Sequence, residues 1–423
     1  RLIKDVAVIA IDNLSAKLGE IAARFYSHPS RRLSVIGITG TNGKTSCSQF
    51  IAQALADTGF SCGTMGTLGY GIYGELKETQ LTTPDPVFTQ MALAEMAQGG
   101  IDPVVMEVSS VGLHQRRVKA VKFDTAIFTN LTRDHLDYHE SMEAYGNNKK
   151  KLFTSEGLSR AIVNLDDPYA LSIINAIAPS VDVYTYSLKN SAATVYAESL
   201  SLTRQGFEAR LVTPIGAGTV KGKLFGYFNV SNLLAVITTL INYLPKKKVL
   251  DIAQLCELVS GLSSVDGRME IIGDFEEITA VVDYAHTPDG LRSALKGLRD
   301  HFSGNIWCVF GCGGNRDKGK RPIMGEVAET FADRLIITDD NPRNEKGDDI
   351  VQHILSGMNK PEEAVIERDR EKAIAYAIAN AESGDVVVVA GKGHETYQDV
   401  GGSRLIFSDA SQVRLALQAR EKK

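Results

Sequence analysis

Short apolar runs that end in polar or glycine-rich turns alternate with longer segments of helical period. LSVIGIT (residues 33–39) reads as a buried strand, and KTSCSQFIAQALADTG (residues 44–59) carries helical spacing and ends at a glycine. Ahead of them, RLIKDVAVIAIDN predicts a strand rather than a signal peptide, residues 14–26 a helix and SHPS a turn. DPVVMEVSS, FDTAIFTNL and RAIVNLDD predict further strands, so the pattern implies parallel βαβ units. From Val181 to Tyr227, the segments VDVYTYSL, ATVYAESLSLT, GFEARLVTP and GTVKGKLFG alternate polar and apolar residues, which predicts antiparallel strands appended to that core. Two helical segments follow, NVSNLLAVITTLINYL and VLDIAQLCELVSGL. A second α/β series starts after VDGRMEII with ITAVVDYA, NIWCVFGC, RLIITDD, EEAVIER and DVVVVAGKG. A domain boundary is therefore expected near Asp266.

Composition narrows the function. The 423 residues are 43% hydrophobic and 23% charged, ordinary for a soluble globular protein. A net charge of −5 argues against sequence-independent nucleic-acid binding, which needs clustered Lys and Arg. The run at residues 246–248 is short enough to be solvated. No apolar stretch approaches the ~20 residues that cross a bilayer. The five cysteines, at 47, 62, 256, 308 and 312, form no CxxC pair and suit reduced thiols in the cytosol.

GITGTNGKTSC (residues 37–47) carries the clearest chemistry. A strand, a glycine-rich turn and a helix N-terminus make an anion site from backbone N–H groups and the helix dipole. In a phosphate loop of this kind Gly40, Thr41, Asn42 and Gly43 wrap the phosphates, Lys44 reaches the outer ones, and Thr45 or Ser46 ligates Mg²⁺. Ile38 stands where the strict pattern has glycine, so the loop is a variant. Glu107, at a strand end, is a natural Mg²⁺ ligand facing Thr45. His135 and His139 are spaced as zinc ligands on one helical face would be, but no third ligand has a diagnostic spacing. GCGG (residues 311–314) is a broken dinucleotide pattern with Arg316 at the third glycine position. By composition alone, Lys149 to Lys151 in NNKKKLF are a solvated basic run on a helix.

The variant loop resembles that of the Mur ligase family. EVSS, TNLTRDHLDYH, FNVSN, GRME, DYAHTPDGL, GCGGNRDKGKRP, DDNPR and AGKGHE follow in the order that family has, nearly end to end. The resemblance implies a P-loop-type ATPase domain with a mainly parallel sheet over residues 31–265, then a Rossmann-like α/β domain over residues 266–423. Residues 1–30 would be the end of an N-terminal uridine-binding domain, most of which is absent here.

The resemblance also implies an activity: ATP-dependent amide formation through an acyl phosphate, in peptidoglycan precursor synthesis. DNPR is similar to the members that add meso-2,6-diaminopimelate to the D-glutamate of UDP-N-acetylmuramoyl-L-alanyl-D-glutamate. On that pattern Thr82, Thr83, Ser109, Gln115 and Arg117 contact the acceptor. Arg316, Asp340, Asn341, Pro342, Arg343, Gly391 and Glu395 would hold the diaminopimelate, whose far carboxylate Arg343 can grip bidentately. Asn229, Asn232, Arg268, Asp283 and His286 would contact the nucleotide. His135 would serve a second Mg²⁺, and Lys149 would carry CO₂ as a metal-binding carbamate. Two departures stand out: Val111 where the family commonly has histidine, and Asn147-Asn148 where it has alanines. A monomeric, cytoplasmic enzyme with small-molecule substrates is expected. An L-lysine-adding ligase, a folylpolyglutamate-type ligase and an inactive ATP-binding fragment are the alternatives.

Overall fold

The computed structural model describes residues 9–244, 249–273 and 277–421. Most of the expected opening strand (residues 1–8) and the basic run at residues 246–248 lie outside the described residues. The next expectation is met by a helix, Leu14–Phe25, and a 3₁₀ turn, Pro29–Arg31.

Among the described residues, eleven strands form one sheet. In chain order they are β1 (Val35–Thr39), β2 (Gly63–Gly66), β3 (Gly69–Ile72), β4 (Glu75–Lys77), β5 (Val104–Glu107), β6 (Thr125–Phe128), β7 (Arg160–Asn164), β8 (Asp182–Ser187), β9 (Val195–Thr203), β10 (Gly206–Thr213) and β11 (Gly216–Gly222). Their order across the sheet is β11-β10-β9-β8-β7-β6-β1-β5-β2-β3-β4. From β2 through β9 every neighbour is parallel, and only the two flanks are antiparallel.

This corrects one expectation. VDVYTYSL is β8, and it pairs parallel to both β7 and β9 rather than opening the antiparallel run. Its polar–apolar alternation reports one exposed face, and that says nothing about the direction of the neighbour. The hairpins β2–β3 and β3–β4 had no expectation behind them, since the glycines of MGTLGYGIYGE break the periodicity.

The central strands are covered on both sides. Ile36 and Ile38 face one apolar layer with Phe50, Val105 and Leu234, while Val35 faces another with Met65, Val104 and Phe153. Strand period two sends neighbours to opposite faces, which is why LSVIGIT is an unbroken apolar run.

A second sheet contains β12 (Glu270–Ile272), β13 (Thr279–Asp283), β14 (Ile306–Phe310), β15 (Arg334–Ile337), β16 (Val365–Ile366) and β17 (Val386–Ala390), in the order β12-β13-β17-β14-β15-β16. Only the edge strand β12 is antiparallel. A hairpin of β18 (Tyr397–Val400) and β19 (Ser403–Ile406) follows. No helix among the described residues is long and apolar enough to cross a membrane.

The phosphate loop, Glu107 and the Thr129–His135 segment leave the carboxyl ends of β1, β5 and β6. Asp283, the Gly311–Arg316 loop, Asp340–Arg343 and Gly391–Glu395 leave the ends of β13, β14, β15 and β17. Parallel strands gather such loops along one edge, where α/β sheets bind ligands.

Candidate active site

The phosphate loop is held open from beneath. Gly43 has φ +85°, a left-handed conformation that glycine adopts without strain, and starts the helix Lys44–Asp57. A Cβ on Gly40 would lie 1.8 Å from Thr129 Oγ1, so only glycine fits. Thr41 N–H donates to Asn130 O, Asn42 N–H to Asn130 Oδ1, and Thr129 Oγ1 to Asn42 O. Lys44 Nζ curls back onto Gly40 O and Thr41 O, 2.8 Å from each. Burial lowers the pKa of Lys44, while Glu107 and Asp134 pull it back up.

Glu107 is buried at the end of β5. Its Oε2 accepts from Thr45 Oγ1 at 2.9 Å and Thr67 Oγ1 at 3.2 Å, and its Oε1 accepts from Thr67 N–H at 2.8 Å. Gly66 makes the room, because a Cβ there would lie 2.2 Å from Glu107 Oε1. Thr67 was invisible in the sequence: a threonine in a glycine-rich hairpin carries no motif.

Lys149 is not solvated. It is 1% exposed, its Nζ donates to Gly40 O at 2.8 Å, and it lies 4.3 Å from the centre of the Tyr145 ring. Burial lowers its pKa well below the ordinary lysine value, and the Lys44 charge lowers it further. The helix Met142–Lys150 turns about 100° per residue, so one lysine of three consecutive ones can face inward while Lys151 is exposed. Tyr145 also binds Thr41 Oγ1 through its hydroxyl, and its ring lies 6.2 Å from that of His135. The two histidines part company. His135 is exposed beside Asp134, whereas His139 is buried against Ser110 Oγ and Asn148 Nδ2.

The acceptor-type residues also meet. Thr83 Oγ1 donates to Glu107 O and accepts from Ser109 N–H, and Thr82 Oγ1 lies 3.0 Å from Thr67 Oγ1. Ser109 caps the helix Ser110–His114. Arg117 donates to Thr83 O and to Gln115 Oε1, and Gln115 donates to the Tyr138 hydroxyl. His114, three residues beyond Val111, binds that same hydroxyl at 2.8 Å.

Asn232 and Asn229 are buried. Asn232 Oδ1 packs so closely on Gly43 that a Cβ there would lie 2.5 Å away, and Asn229 Nδ2 donates to Phe225 O. The pair therefore braces the phosphate loop from the helix Tyr227–Tyr243.

From the second sheet, Arg268 places its guanidinium 4.2 Å from the Tyr284 ring centre and 3.5 Å from Thr45 Oγ1. Asp283 accepts from Met269 N–H and Ala285 N–H, which fixes the turn carrying Arg268; burial raises its pKa, and Arg268 opposes the rise. His286 is exposed nearby, with Nδ1 2.8 Å from Tyr284 O. Asp340 is buried beneath Gly391, and Asn341 joins Glu395. Pro342 holds the turn before Arg343, whose side chain donates to Gly314 O and lies 3.8 Å from Asp399 Oδ2. Arg316 is exposed at the same rim.

One family model, the Mur ligase middle domain, matches residues 38–240, and another, the Mur ligase glutamate ligase domain, matches residues 267–393. A UDP-N-acetylmuramoyl-L-alanyl-D-glutamate--2,6-diaminopimelate ligase of Coxiella burnetii is 47% identical over 97% of this chain and 84% of its own length. The chain belongs to the Mur ligase family. As a Mur ligase it is an ATP-dependent amide-forming enzyme. A solved ligase of that same description is 37% identical, with a TM-score of 0.70 over 99% of this chain and 85% of its own. A folylpolyglutamate synthase of Mycobacterium tuberculosis, complexed with ADP and AMPPCP, has a TM-score of 0.72 over 89% of this chain and 92% of its own. At 17% identity it shares the fold alone with this Mur ligase.

Proposed function

We propose that this Mur ligase joins meso-2,6-diaminopimelate to the D-glutamate of UDP-N-acetylmuramoyl-L-alanyl-D-glutamate, as its relatives' names describe for them. The observation that carries the reading is the meeting at Thr45: Glu107 accepts its hydroxyl from the first sheet, and Arg268 approaches it from the second. The division at residues 31–265 and 266–423 follows the same logic, with the reaction at the seam.

The acceptor's γ-carboxylate attacks the γ-phosphate of ATP, and ADP leaves. Lys44, the loop N–H groups and Arg268 stabilise the charge that develops on the transferring group. The diaminopimelate amine then attacks the acyl phosphate, releasing inorganic phosphate as the amide forms. Thr82, Thr83, Ser109, Gln115 and Arg117 orient the acceptor. Asp340, Asn341, Arg343, Gly391 and Glu395 hold the amino acid, with Arg316 at the rim. Asn229, Asn232, Asp283 and His286 frame the nucleotide.

The residues fit Mg²⁺. A buried carboxylate and a hydroxyl are hard oxygen donors, and the missing Cβ of Gly66 is what lets the Glu107 carboxylate pack beside Thr45. Thr45 and Glu107 would hold one ion, and His135 with a carbamate on Lys149 a second. Such ions offset phosphate charge. Burial supports the carbamate, because a lysine with a lowered pKa offers the neutral amine that CO₂ requires. A cytosolic monomer with small-molecule substrates completes the reading.

The test is ADP release with ATP, Mg²⁺ and the UDP-linked acceptor, comparing diaminopimelate, L-lysine and L-glutamate as amines. Release that depends on diaminopimelate supports the reading. Preference for lysine or glutamate would replace it with the corresponding ligase, and release with none would leave an ATP-binding fragment. Arg343→Ala should weaken diaminopimelate use while sparing the acceptor.

A further inference from the structure

Lys392 lies in the AGKGHE segment but has been given no role so far, yet it is among the most enclosed cations of the described residues. It is 0% exposed, and its Nζ donates to Asn341 Oδ1 at 3.0 Å and Glu395 Oε2 at 2.9 Å. A lysine ammonium can only donate, so it settles which way the Asn341 amide faces. Asn341 Oδ1 is turned to Lys392 and to Asp399 N–H at 2.9 Å, which leaves Nδ2 to donate to Glu395 Oε2 at 2.8 Å. Glu395 Oε2 thus receives two donors, and Oε1 is the carboxylate oxygen left without a hydrogen bond among the described residues. Asp399 lies on β18, and its carbonyl accepts from Arg343 N–H. One ammonium thereby fixes Asn341, Glu395 and, through Asp399, the strand against which Arg343 rests.

We propose that Lys392 is a positioning residue for the incoming amino acid, turning Asn341 and Glu395 so that Glu395 Oε1 receives the ammonium of that substrate. The inference rests on the assignment of Asn341, Arg343 and Glu395 to the amino-acid subsite. The backbone supports a positioning role. Gly391 has φ +115°, and a Cβ on it would lie 2.6 Å from Asp340 Oδ2, so the segment carrying Lys392 is pressed against the loop after β15. An ammonium held on so constrained a segment transmits its position to its partners instead of relaxing around them. A lysine serving only to neutralise Glu395 would not need to bind the Asn341 amide as well.

The experiment compares Lys392→Met, Lys392→Gln and Lys392→Arg with the wild type in the ADP-release assay, reading KM separately for ATP, acceptor and amine, with thermal melting beside it. The neutral variants should raise the KM for diaminopimelate by on the order of 10- to 100-fold, the range for losing a hydrogen bond to a charged group, with the other two KM values little changed. Lys392→Arg should recover part of that loss. A folded Met or Gln variant with an unchanged amine KM overturns the proposal. So does a uniform loss across all substrates, or failure of both neutral variants to fold, since each makes the lysine merely structural. If the wild type uses a different amine, the substrate assignment fails, and the KM for that amine still decides the role of Lys392.

Discussion

The Arg268 guanidinium and the Thr45 hydroxyl, 223 positions apart in the sequence, lie 3.5 Å from each other. Thr45 is in the first turn of the helix that starts at the phosphate loop, and Arg268 precedes β12 of the second sheet. The reacting phosphate would therefore be flanked by groups from both sheets.

Arg268→Ala should lower turnover by about 10²–10³-fold, the cost of losing one pre-organised charge donor. The KM for the amine should change far less. Single-turnover ADP formation checks this, and a loss confined to amine binding would place Arg268 elsewhere in the reaction.

Gly66→Ala is a sharper geometric test. The added methyl would stand 2.2 Å from Glu107 Oε1, with the rest of that carboxylate close behind, so the carboxylate must move. Expected outcomes are a raised Mg²⁺ requirement and reduced ADP release, while melting shows the protein folded. Titrating activity against Mg²⁺ reads it; an unchanged curve would mean Glu107 does not serve the metal.

Lys149 should bear a carbamate when CO₂ and Mg²⁺ are present. Protein prepared with ¹³C-bicarbonate should show a carbamate carbon resonance that Lys149→Arg lacks. CO₂-depleted buffer should slow the wild type, and restored bicarbonate should reverse the loss. Burial depresses the folded-state pKa of this lysine, so the neutral amine is favoured as pH rises, and bicarbonate dependence should weaken in that direction.

Arg321 and Glu345 supply a stability prediction. Arg321 is 0% exposed and bonds both Glu345 oxygens, at 3.0 and 3.1 Å, while also holding Gly313 O. Its hydrogen bonds, followed by the Asn315 N–H, hold the Glu345 carboxyl at about 2 against an ordinary 4.5. Between those values the unfolded chain binds more protons than the folded one. The pair's contribution is thus complete above about pH 4.5 and is lost as pH falls through about 2. Glu345→Gln should flatten that acid limb in denaturant titrations. Arg321→Met should cost about 2 kcal/mol near neutrality, the range for hydrogen bonds to a charged group, since Glu345 is only half-buried and keeps Lys318 and the Asn315 N–H.

The local order of the chain was legible by itself. Buried parallel strands are apolar runs, and a phosphate loop is a fixed grammar of glycine, lysine and threonine, so β1, the loop and its helix could be read from residues 33–59. The order of the motifs likewise pointed to the family. What only the tertiary structure decided was depth and partnership. Lys149 and Lys151 are equivalent in composition, yet packing buries one beneath the phosphate loop and leaves the other exposed. Strand β8 alternates like an antiparallel strand but pairs in parallel, because direction depends on the path of the chain between strands. Thr67 and Tyr145 lie in no motif, and Lys392 sits in AGKGHE with nothing local to mark its role, since their importance comes from hydrogen bonds to residues 40 to 104 positions away. Periodicity reports which side of a segment is dry, while the neighbour that waits there is fixed only when distant loops converge on the same sheet edge.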